Sequence, residues 1–600
     1  MTKDIEAYVA GLKVLESYGV KDMFGYPAGS VNSLLNALDQ EQDNVKYIQV
    51  RHEQVAALAA SAHAKLTGKI GVCFGSAGPG AANLINGLYD AKDDHAPVLA
   101  LIGQTSNKLM NYDFFQEFPE SPMFANIAQY DRIVMTPESL PHVINEAVQQ
   151  AYKNKGVSVV VVPNNFGYVK IPDSNYTSAS KSMEKATPQP KATHREIIEF
   201  LKMVKEAKRP VMHVGRGIHG NGDLVVRLSK KLRIPVCVDG LARGLIDSHY
   251  EGYMGSANRA ATKPADEAIS SADLVIAIGG DFSFAQTYYA SHPFKYVQVD
   301  NDRSELGKHH SLDLGIWADA GDFLTKALRA SHDAGSSKFF DDMVVDKHNW
   351  DDYIHHIQTM PKKYIHTQQI YYWLNKKADS DAIYSIDTGN NTIDSFRYLN
   401  LYHHKWSLSA LFATMGYGLP ASIAAQLDYP HRQVIDLCGD GAMTMVIQDL
   451  VTLHKYDLPV LNIVTSNRDL GFIMGEQEDA PMKFFGLHLQ DLSFAKVAEA
   501  MGVKAVTITK PEQIPKALDE AEETMKQGHP FLIDAKVVDE RALPVEDLQI
   551  HSVNGKVSET VAPTYRQDKA NGGHYTLRQF FNQYHGQGLK SLPEIMKANQ

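Results

Sequence analysis

Ten short apolar runs, spread over most of the chain, constrain the fold more than any other feature of the sequence. The runs are rich in valine and isoleucine, most are bounded by glycine, proline or aspartate, and longer helix-like stretches separate them. Continuous apolar strands of this kind are typical of parallel sheets that are buried on both faces. Their alternation with helices therefore predicts an α/β protein with parallel sheets. The predicted strands are 70–75, 98–103, 157–163, 210–215, 274–279, 296–300, 383–387, 434–439, 460–467 and 531–537.

The chain of 600 residues is too long for one hydrophobic core, since about 150 residues per domain predict two to four domains. Two polar stretches, 174–194 and 331–347, have the composition of linkers. They separate three predicted α/β domains, and a polar tail rich in glycine, histidine and glutamine follows the third. The predicted bounds are 1–180, 191–335 and 355–545 for the domains and 546–600 for the tail.

Composition excludes several classes of protein. Apolar residues make up 44% of the chain and charged residues 22%, as in ordinary globular proteins. The 70 acidic residues outnumber the 59 lysines and arginines, and no basic tract is present, which argues against nucleic-acid binding. Cys73, Cys237 and Cys438 each lie in an apolar run, which predicts free buried thiols in a reducing compartment. Without a signal-peptide pattern or a membrane-spanning run, we expect a cytoplasmic protein with no membrane partner.

The sharpest chemical pattern joins two predicted strand ends. Gly439, Asp440 and Gly441 end one strand, and Asn467 ends the next. Carboxyl ends of neighbouring parallel strands lie side by side, where ligands of α/β folds bind. A carboxylate and an amide oxygen suit Mg²⁺, which completes its coordination with phosphate and water, and the glycines let backbone N–H groups approach a phosphate. The pattern predicts a magnesium-diphosphate site.

Two further motifs lie in the first domain. Glu53 opens a helix-like run at 55–66, either as a carboxylate favoured by the helix dipole or as a partly buried acid that bonds a ligand nitrogen. The zinc-protease pattern fails because Ala56 stands where it requires a second histidine. The glycine-rich stretch 75–80 follows a strand and precedes a helix, and it is either a plain turn or an opening to a ligand at the helix N-terminus.

A dinucleotide pattern lies in the middle domain. Gly215, Gly217 and Gly220 match the spacing of that pattern, and Asp239 lies 19 residues beyond Gly220. NAD is the first ligand such a match suggests. The pattern alone indicates only that some dinucleotide can bind in this domain.

Together these stretches resemble the thiamine-diphosphate (ThDP) family of 2-oxo-acid decarboxylases and oxidases. Within it, the similarity to bacterial pyruvate oxidases covers roughly residues 5–545. The stretches 255–259 and 411–416 point to the oxidases. The matching stretches are 51–53, 65–72, 75–80, 86–90, 115–117, 255–259, 263–265, 306–308, 411–416 and 439–441.

The resemblance implies a pyrimidine-binding, a central FAD-binding and a diphosphate-binding domain, with ThDP bridging two chains. Glu53 would hydrogen-bond the pyrimidine ring, and Met415 would be the apolar wedge that holds the cofactor bent. The Mg²⁺ ligands would be Asp440, Asn467 and the carbonyl of Asp469. The diphosphate would lie against Gly439, Asp440 and Gly441.

The resemblance also implies residues for the substrate and the flavin. Phe115 and Phe472 would lie between ThDP and FAD. Ser30 and Gln116 would orient the substrate carboxylate or phosphate, and Glu476 would handle protons. The substrate side would comprise Gly29, Ser30, Gln116 and Glu476. The FAD contacts would be Gly215, Gly217, Ser256, Asn258 and Arg259, with Asp300 near the adenosine.

The implied activity is oxidation of pyruvate with phosphate and O₂ to acetyl phosphate, CO₂ and H₂O₂, in a homo-oligomer that we expect to be a tetramer. One alternative is an acetolactate synthase-like carboligase, although the segment 127–130 resembles the oxidases. A second is a quinone-reducing pyruvate dehydrogenase that docks on membranes through its C-terminus, although the segment 577–584 is only weakly amphipathic. A third is a catalytically silent ThDP-binding relative, against which the presence of Glu53, Asp440 and Asn467 weighs.

Overall fold

Three six-stranded sheets, each with all neighbouring strands parallel, form within the described part of the chain. They confirm the predicted α/β class with three parallel-sheet domains. Most of the predicted tail lies outside the described residues, apart from an antiparallel pair of two-residue strands, Ser552–Val553 and Lys556–Val557. The computed structural model describes residues 4–174, 189–257, 260–285, 289, 293–402, 404–479, 483–540, 552–553 and 556–557.

The first sheet has the strand order β3-β2-β4-β5-β7-β6, and β1 and β8 form a separate antiparallel pair. These strands are β1 (Asp4–Glu6), β2 (Asp22–Gly25), β3 (Lys46–Gln49), β4 (Gly71–Gly75), β5 (Val98–Gln104), β6 (Ala128–Ile133), β7 (Val157–Pro163) and β8 (Lys170–Pro172). The helices of this domain are Ala7–Ser17, Asn32–Gln40, Glu53–Thr67, Pro79–Asp93, Glu120–Phe124 and Leu140–Asn154.

The middle sheet has the order β11-β10-β9-β12-β13-β14, which is the dinucleotide-binding order with its switch point between β9 and β12. Its strands are β9 (Pro210–Val214), β10 (Val236–Val238), β11 (Tyr253–Ser256), β12 (Leu274–Ile278), β13 (Lys295–Asp300) and β14 (Leu314–Trp317). Its described helices are His194–Glu206, Gly222–Leu232, Lys263–Ser271 and Ala320–Ala330.

The third sheet has the order β16-β15-β17-β18-β20-β19. Its strands are β15 (Ile383–Ile386), β16 (Lys405–Leu408), β17 (Val434–Gly439), β18 (Val460–Ser466), β19 (Lys504–Ile508) and β20 (Phe531–Lys536). The helices from residue 338 onwards are Lys338–Thr359, Thr367–Lys377, Asn390–Tyr398, Gly418–Asp428, Asp440–Val446, Leu450–Lys455, Gly471–Asp479, Phe494–Ala500 and Ile514–Lys526.

The first and third sheets share one topology. Counted within each sheet, both have their strands in the order second, first, third, fourth, sixth, fifth. In each, the first strand runs beside the third, and the chain leaves these two strands in opposite directions. Both sheets therefore have a switch point at the carboxyl ends of their first and third strands, where ligands of open α/β sheets bind.

The ten strands predicted from apolar runs are all present, with ends within one residue of the prediction. No helix in the described ranges is long and apolar enough to cross a membrane. The three cysteines are buried and free, as predicted. The domain bounds given above stay predictions.

The predicted linker at 331–347 is wrong in its second half, because the helix Lys338–Thr359 begins there. Ser337 caps this helix by accepting the N–H of Phe340. Phe340 and Met343 bury their side chains, at a helical spacing that the charged residues around them obscure. Of the other predicted linker, residues 175–188 lie outside the described part.

The first and third domains share one hydrophobic core. At its centre the helix Glu53–Thr67 packs on both Pro79–Asp93 and Gly418–Asp428. The helices Glu53–Thr67 and Pro79–Asp93 approach closely at Gly87, where a Cβ would lie 2.5 Å from Ala57 Cβ and 2.6 Å from the backbone N of Leu58. Only glycine lets these two helices approach so closely.

Gly87→Ala should therefore destabilise the protein by about 1–3 kcal/mol, the usual cost of overpacking a core. On an open helix surface the same change would stabilise by about 1 kcal/mol. The matched control is Gly11→Ala, because a Cβ there would meet only the ends of two flexible side chains, Ile144 Cδ1 at 2.8 Å and Leu140 Cδ2 at 2.9 Å. Denaturation curves of the two variants should differ clearly, and equal stability would contradict the close approach.

Candidate active site

A cavity of about 780 Å³ opens at the carboxyl ends of the third sheet and continues to the switch point of the middle sheet. On the side of the third domain it is lined by residues that follow β15, β16, β17 and β18. Two predicted cofactor contacts, Met415 and Asp440, both line it, together with Phe472. The cavity thus joins two sites that the sequence predicted separately.

Asp440 is the first residue of its helix and is buried. Its Oδ1 accepts the N–H of Gly441 at 2.8 Å, and its Oδ2 accepts the N–H of Arg468 at 2.6 Å. Burial raises the pKa of Asp440, and these two hydrogen bonds oppose the rise. Arg468 reaches this position with a left-handed backbone, φ 67°. The carboxylate is therefore fixed in direction by the main chain.

Asn467 and Asp469 lie beside Asp440 in the wall of the cavity. Asn467 Oδ1 accepts the N–H of Asp469 at 3.2 Å, and its Nδ2 donates to Asp539 Oδ1 at 3.4 Å. The carboxylate of Asp469 is hydrogen-bonded to His488. That bond fits the expectation that Asp469 would offer its carbonyl, and not its carboxylate, to a cation.

The wall beside these residues is open in the way that a diphosphate requires. A Cβ at Gly389, where φ is 134°, would have no neighbour within 4 Å, and a Cβ at Gly439 would meet only Asn391 Nδ2 at 3.9 Å. The helices Asn390–Tyr398 and Gly471–Asp479 both begin at the cavity. Helix N-termini attract anions through their free N–H groups and their dipole. The donor set therefore fits a diphosphate with a hard cation.

Asp387 fixes the segment that carries Met415, and no sequence pattern singled it out for this role. It follows β15 and accepts the N–H groups of Gly416 and Gly418, both at 2.9 Å. Burial raises the pKa of Asp387 to about 6. The available signal was an acidic residue at the end of the predicted strand 383–387.

A buried ion cluster fixes the same segment from the other side. Lys65 Nζ lies 2.8 Å from Asp90 Oδ2 and 2.6 Å from Asp94 Oδ2, and all three side chains are almost fully buried. Asp94 in turn accepts the N–H groups of Ala410 at 3.0 Å and Leu411 at 3.1 Å. Although burial alone would lower it, the two aspartates raise the pKa of Lys65. The first domain thereby holds a segment of the third.

The helix Pro79–Asp93 makes two further contacts with the segment that carries Met415. Asn86 Nδ2 donates to Thr414 Oγ1 at 2.9 Å, and the Tyr89 ring stacks on Phe412 with centroids 5.4 Å apart. The sequence stretches 65–72, 86–90 and 411–416, quoted above for their resemblance, therefore meet in one place. Together their contacts fix the segment that carries Met415.

Glu53 lies in the first domain, apart from the large cavity. It is 7% exposed, and its Oε2 accepts a hydrogen bond from Asn83 Nδ2 at 2.9 Å. A Cβ at Gly80 would lie 2.5 Å from Ser76 Oγ and 3.1 Å from Glu53 Oε1. The glycine turn at 75–80 is therefore needed to leave room for the carboxylate, and neither it nor Glu53 lines the large cavity.

Three predicted substrate residues gather at this turn. Ser30 Oγ accepts the N–H of Ala77 at 2.9 Å, and Gly29 precedes it. A Cβ at Gly78 would lie 3.3 Å from the Gln116 carbonyl oxygen. Phe115, next to Gln116, is 78% exposed. The structure therefore divides the predicted residues of one chain into two half-sites, one around Glu53 and one around Asp440.

Two predicted residues lie on the helix Gly471–Asp479. Phe472 lines the large cavity, whereas Glu476, one turn further along, is half-buried and does not line it. Both lie on a helix that begins at the cavity of Asp440, on the side of the third domain.

The glycine pattern of the middle domain lies at its switch point. A Cβ at Gly215 would lie 2.2 Å from Gly280 Cα, and one at Gly217 would lie 2.6 Å from Gly279 Cα. Arg216, between the two glycines, lines the cavity, and burial lowers its pKa. The glycines are required where the loops after β9 and β12 touch.

The other predicted residues of the middle domain differ in position. Asp300, at the end of β13, lines the cavity, and burial raises its pKa. Asp239 also lines it, and burial raises its pKa to about 7. Ser256 is fully buried and does not line the cavity. Asn258 and Arg259 lie outside the described residues.

The loop that carries Phe115 and Gln116 connects β5 to the helix Glu120–Phe124. Gln104 Nε2 closes its ends by donating to Glu120 Oε2 at 2.5 Å and to the Phe118 carbonyl at 3.0 Å. Glu120 is almost fully buried, and this burial raises its pKa to about 7.

Each domain matches a family model of thiamine pyrophosphate enzymes. The N-terminal TPP binding domain matches residues 7–123, the central domain 197–327 and the C-terminal TPP binding domain 387–535. The chain is 41% identical over 563 residues to a pyruvate oxidase of Lactiplantibacillus plantarum, with 93% of each chain covered. It is 34% identical to a Bacillus subtilis protein provisionally named thiamine pyrophosphate-containing, with 95% of each covered. An acetolactate synthase large subunit of Porphyra purpurea is 30% identical, with 87% of this chain and 90% of that one covered.

Glu120→Gln should stabilise the protein in alkaline buffer. The folded pKa of Glu120 is raised to about 7, so the protonated form is favoured in the folded chain, and stability is lost as the pH rises from about 4.5 to 7. A neutral glutamine avoids this loss. We expect a Tm gain on the order of 2 °C at pH 8 and little change at pH 5. The exposed Glu16→Gln is the control, and equal shifts at the two pH values would contradict the prediction.

Proposed function

The chain belongs to the thiamine pyrophosphate enzyme family, and from this premise we propose that it is a pyruvate oxidase with ThDP, Mg²⁺ and FAD. Pyruvate, phosphate, O₂ and a proton would give acetyl phosphate, CO₂ and H₂O₂. The observation that carries the proposal is the single cavity that joins Met415 and Asp440 to Arg216 of the middle domain. An enzyme that passes electrons from a ThDP-bound substrate to a flavin needs such a connection.

ThDP would be held by its diphosphate in the third domain. When bound, it supplies an electron sink for the loss of CO₂ from a 2-oxo acid. Asp440, Asn467 and the Asp469 carbonyl would hold Mg²⁺. Gly439 and Gly441 would leave room for the phosphates beside them. Met415 would present its side chain to the cofactor from a segment whose position is fixed by Asp387 and the Lys65 cluster.

A complete ThDP site would need two chains. Glu53 and its hydrogen-bond partner Asn83 do not line the cavity of Asp440 in one chain. We therefore propose that Glu53 of a second copy faces the Asp440 half-site and keeps a pyrimidine nitrogen of ThDP hydrogen-bonded. The assembly would be a homo-oligomer, with a tetramer as the expected size. Its small-molecule substrates fit a cytoplasmic enzyme without nucleic-acid or membrane partners.

FAD would be held by the middle domain. When bound, it supplies a two-electron acceptor that O₂ can reoxidise. Arg216 places a buried cation in the cavity, which suits a pyrophosphate, and Gly215 and Gly217 let the chain turn closely beside it. Asp300 would face the adenosine end. The predicted contacts of Ser256, Asn258 and Arg259 stay predictions.

The substrate would lie where the two half-sites meet. Ser30 Oγ accepts the N–H of Ala77, so its hydroxyl hydrogen can be donated to a carboxylate or phosphate. Gln116 adds an amide donor, Gly29 leaves space, and Glu476 would exchange protons with the substrate. Phe115 and Phe472 would separate the two cofactors.

Product identification tests the proposal directly. Pyruvate should bleach the flavin without O₂, and acetyl phosphate should form when O₂ and phosphate are present. Glu53→Gln should lower the rate by about 10²–10⁴-fold, since an amide cannot supply the proton of the acid. Acetolactate formed from two pyruvates, with a flavin that stays oxidised, would favour the carboligase that the 30% identical synthase suggests.

Separate loss of the two cofactors would test the assignment of residues. Asp440→Ala should weaken ThDP binding by more than about 100-fold, because residues that merely support metal ligands already account for about 10–100-fold. Gly215→Ala should abolish FAD retention, because its Cβ would collide with Gly280 Cα at 2.2 Å. Each variant is the control of the other in calorimetry and in cofactor content. Loss of both cofactors from either variant would contradict the assignment.

A further inference from the structure

We propose that Glu117 is a positioning residue, whose carboxylate holds residues 111–117 in a strained conformation and thereby sets the places of Phe115 and Gln116. The proposal rests on the proposed function for the role of those two residues. It adds a task for Glu117, which no part of the reaction described above uses.

The strain is visible in the backbone. Asn111, Asp113 and Gln116 have φ angles of 67°, 51° and 60°, so three residues other than glycine within six positions are left-handed. Such a conformation is unfavourable for L-amino acids, somewhat less so for asparagine and aspartate. Strained residues persist where the surroundings determine their conformation, and they are concentrated at functional sites.

The carboxylate of Glu117 supplies the determining contacts. It accepts the backbone N–H groups of Asn111, Tyr112 at 3.3 Å and Phe114 at 2.9 Å. The Glu117 N–H donates to the Phe114 carbonyl at 2.8 Å and closes the turn. Successive N–H groups that converge in this way form an anion-binding concavity, here filled by a side chain of the same loop. These hydrogen bonds lower the pKa of Glu117 and keep it ionised.

Other described contacts hold the ends of the loop rather than its centre. Asn165 pairs with Asn107 near the start, through Nδ2 to Oδ1 at 3.0 Å, and Gln104 holds Phe118 near the end. Apolar burial contributes little, because Tyr112 is 77% exposed and Phe115 is 78% exposed. The centre of the loop therefore depends on hydrogen bonds to one carboxylate.

The position of the loop matters because it lies on the glycine turn of the Glu53 half-site, where the Gln116 carbonyl approaches Gly78. Without the carboxylate, the left-handed residues would relax to ordinary conformations. Phe115 and Gln116 would then occupy the productive place for only a fraction of the time, and the apparent efficiency would fall to that fraction of its former value.

Glu117→Gln tests the proposal, since its amide keeps one acceptor oxygen but turns an NH₂ group toward N–H donors. Hydrogen bonds to a charged group are the stronger ones, so we expect amide exchange at 111–117 and chymotryptic cleavage near Phe114 and Phe115 to become about tenfold faster or more. We also expect kcat/KM for pyruvate to fall about tenfold or more, with unchanged Tm, ThDP content and flavin content. The matched control is Glu41→Gln, which removes a carboxylate bonded to the Asn44 side chain on the same domain.

Unchanged exchange in Glu117→Gln would overturn the proposal, and so would faster exchange with unchanged kcat/KM. A parallel fall in Tm and in both cofactor contents would also overturn it, because the residue would then act on the whole fold. Failure of the wild-type protein to make acetyl phosphate would instead overturn the proposed function. In that case amide exchange at residues 111–117 still tests whether Glu117 anchors the loop, and kcat/KM is measured for the product that pyruvate does give.

Discussion

One buried ammonium group links the first domain to the Asp440 half-site of the third. Lys65 lies between Asp90 and Asp94, and Asp94 accepts hydrogen bonds from the backbone N–H groups of Ala410 and Leu411. Removing one partner of a buried ion pair typically costs about 3–5 kcal/mol, because a charge is left unpaired away from water. The cluster, together with Asp387, holds the segment that carries Met415 at the wall of the cavity.

Both half-sites use corresponding strand ends of two sheets with the same topology. In the first domain, the first four strands of the six-stranded sheet are followed, in order, by Ser30, Glu53, the turn at 75–80 and Gln116. In the third domain, the first four strands of the sheet are followed, in order, by Asp387, the Met415 segment, Asp440 and Asn467. In the proposed function, one arrangement of strands would thus supply a group for the pyrimidine and a group for the diphosphate. The chemistry differs only in the loops, as is usual for open α/β folds.

Sequence reasoning succeeded where the signal is local. The ten strands are continuous apolar runs, and Asp440 and Asn467 stand directly at two of their ends, so their neighbourhood followed from sheet geometry. It missed short strands such as β3 and β16, whose polar residues hide them among loops. It could not assign the roles of Asp387 and Lys65. The glycine N–H groups that Asp387 holds lie 29 or more residues away in sequence, and the aspartates around Lys65 lie 25 or more residues away. The helix from Lys338 was lost because charged residues mask its buried face.

The helix Pro79–Asp93 contacts Glu53 through Asn83, near its N-terminus, and the Met415 segment through Asn86 and Tyr89, further along. Its 15 residues span about 22 Å. In the proposed oligomer, Glu53 and Met415 of one chain serve different reaction centres. This single helix therefore contacts residues of both centres. Substitutions at Asn83 and Asn86, though only three positions apart, would then act on separate centres within one molecule. A shift of this one helix would therefore change both centres at once.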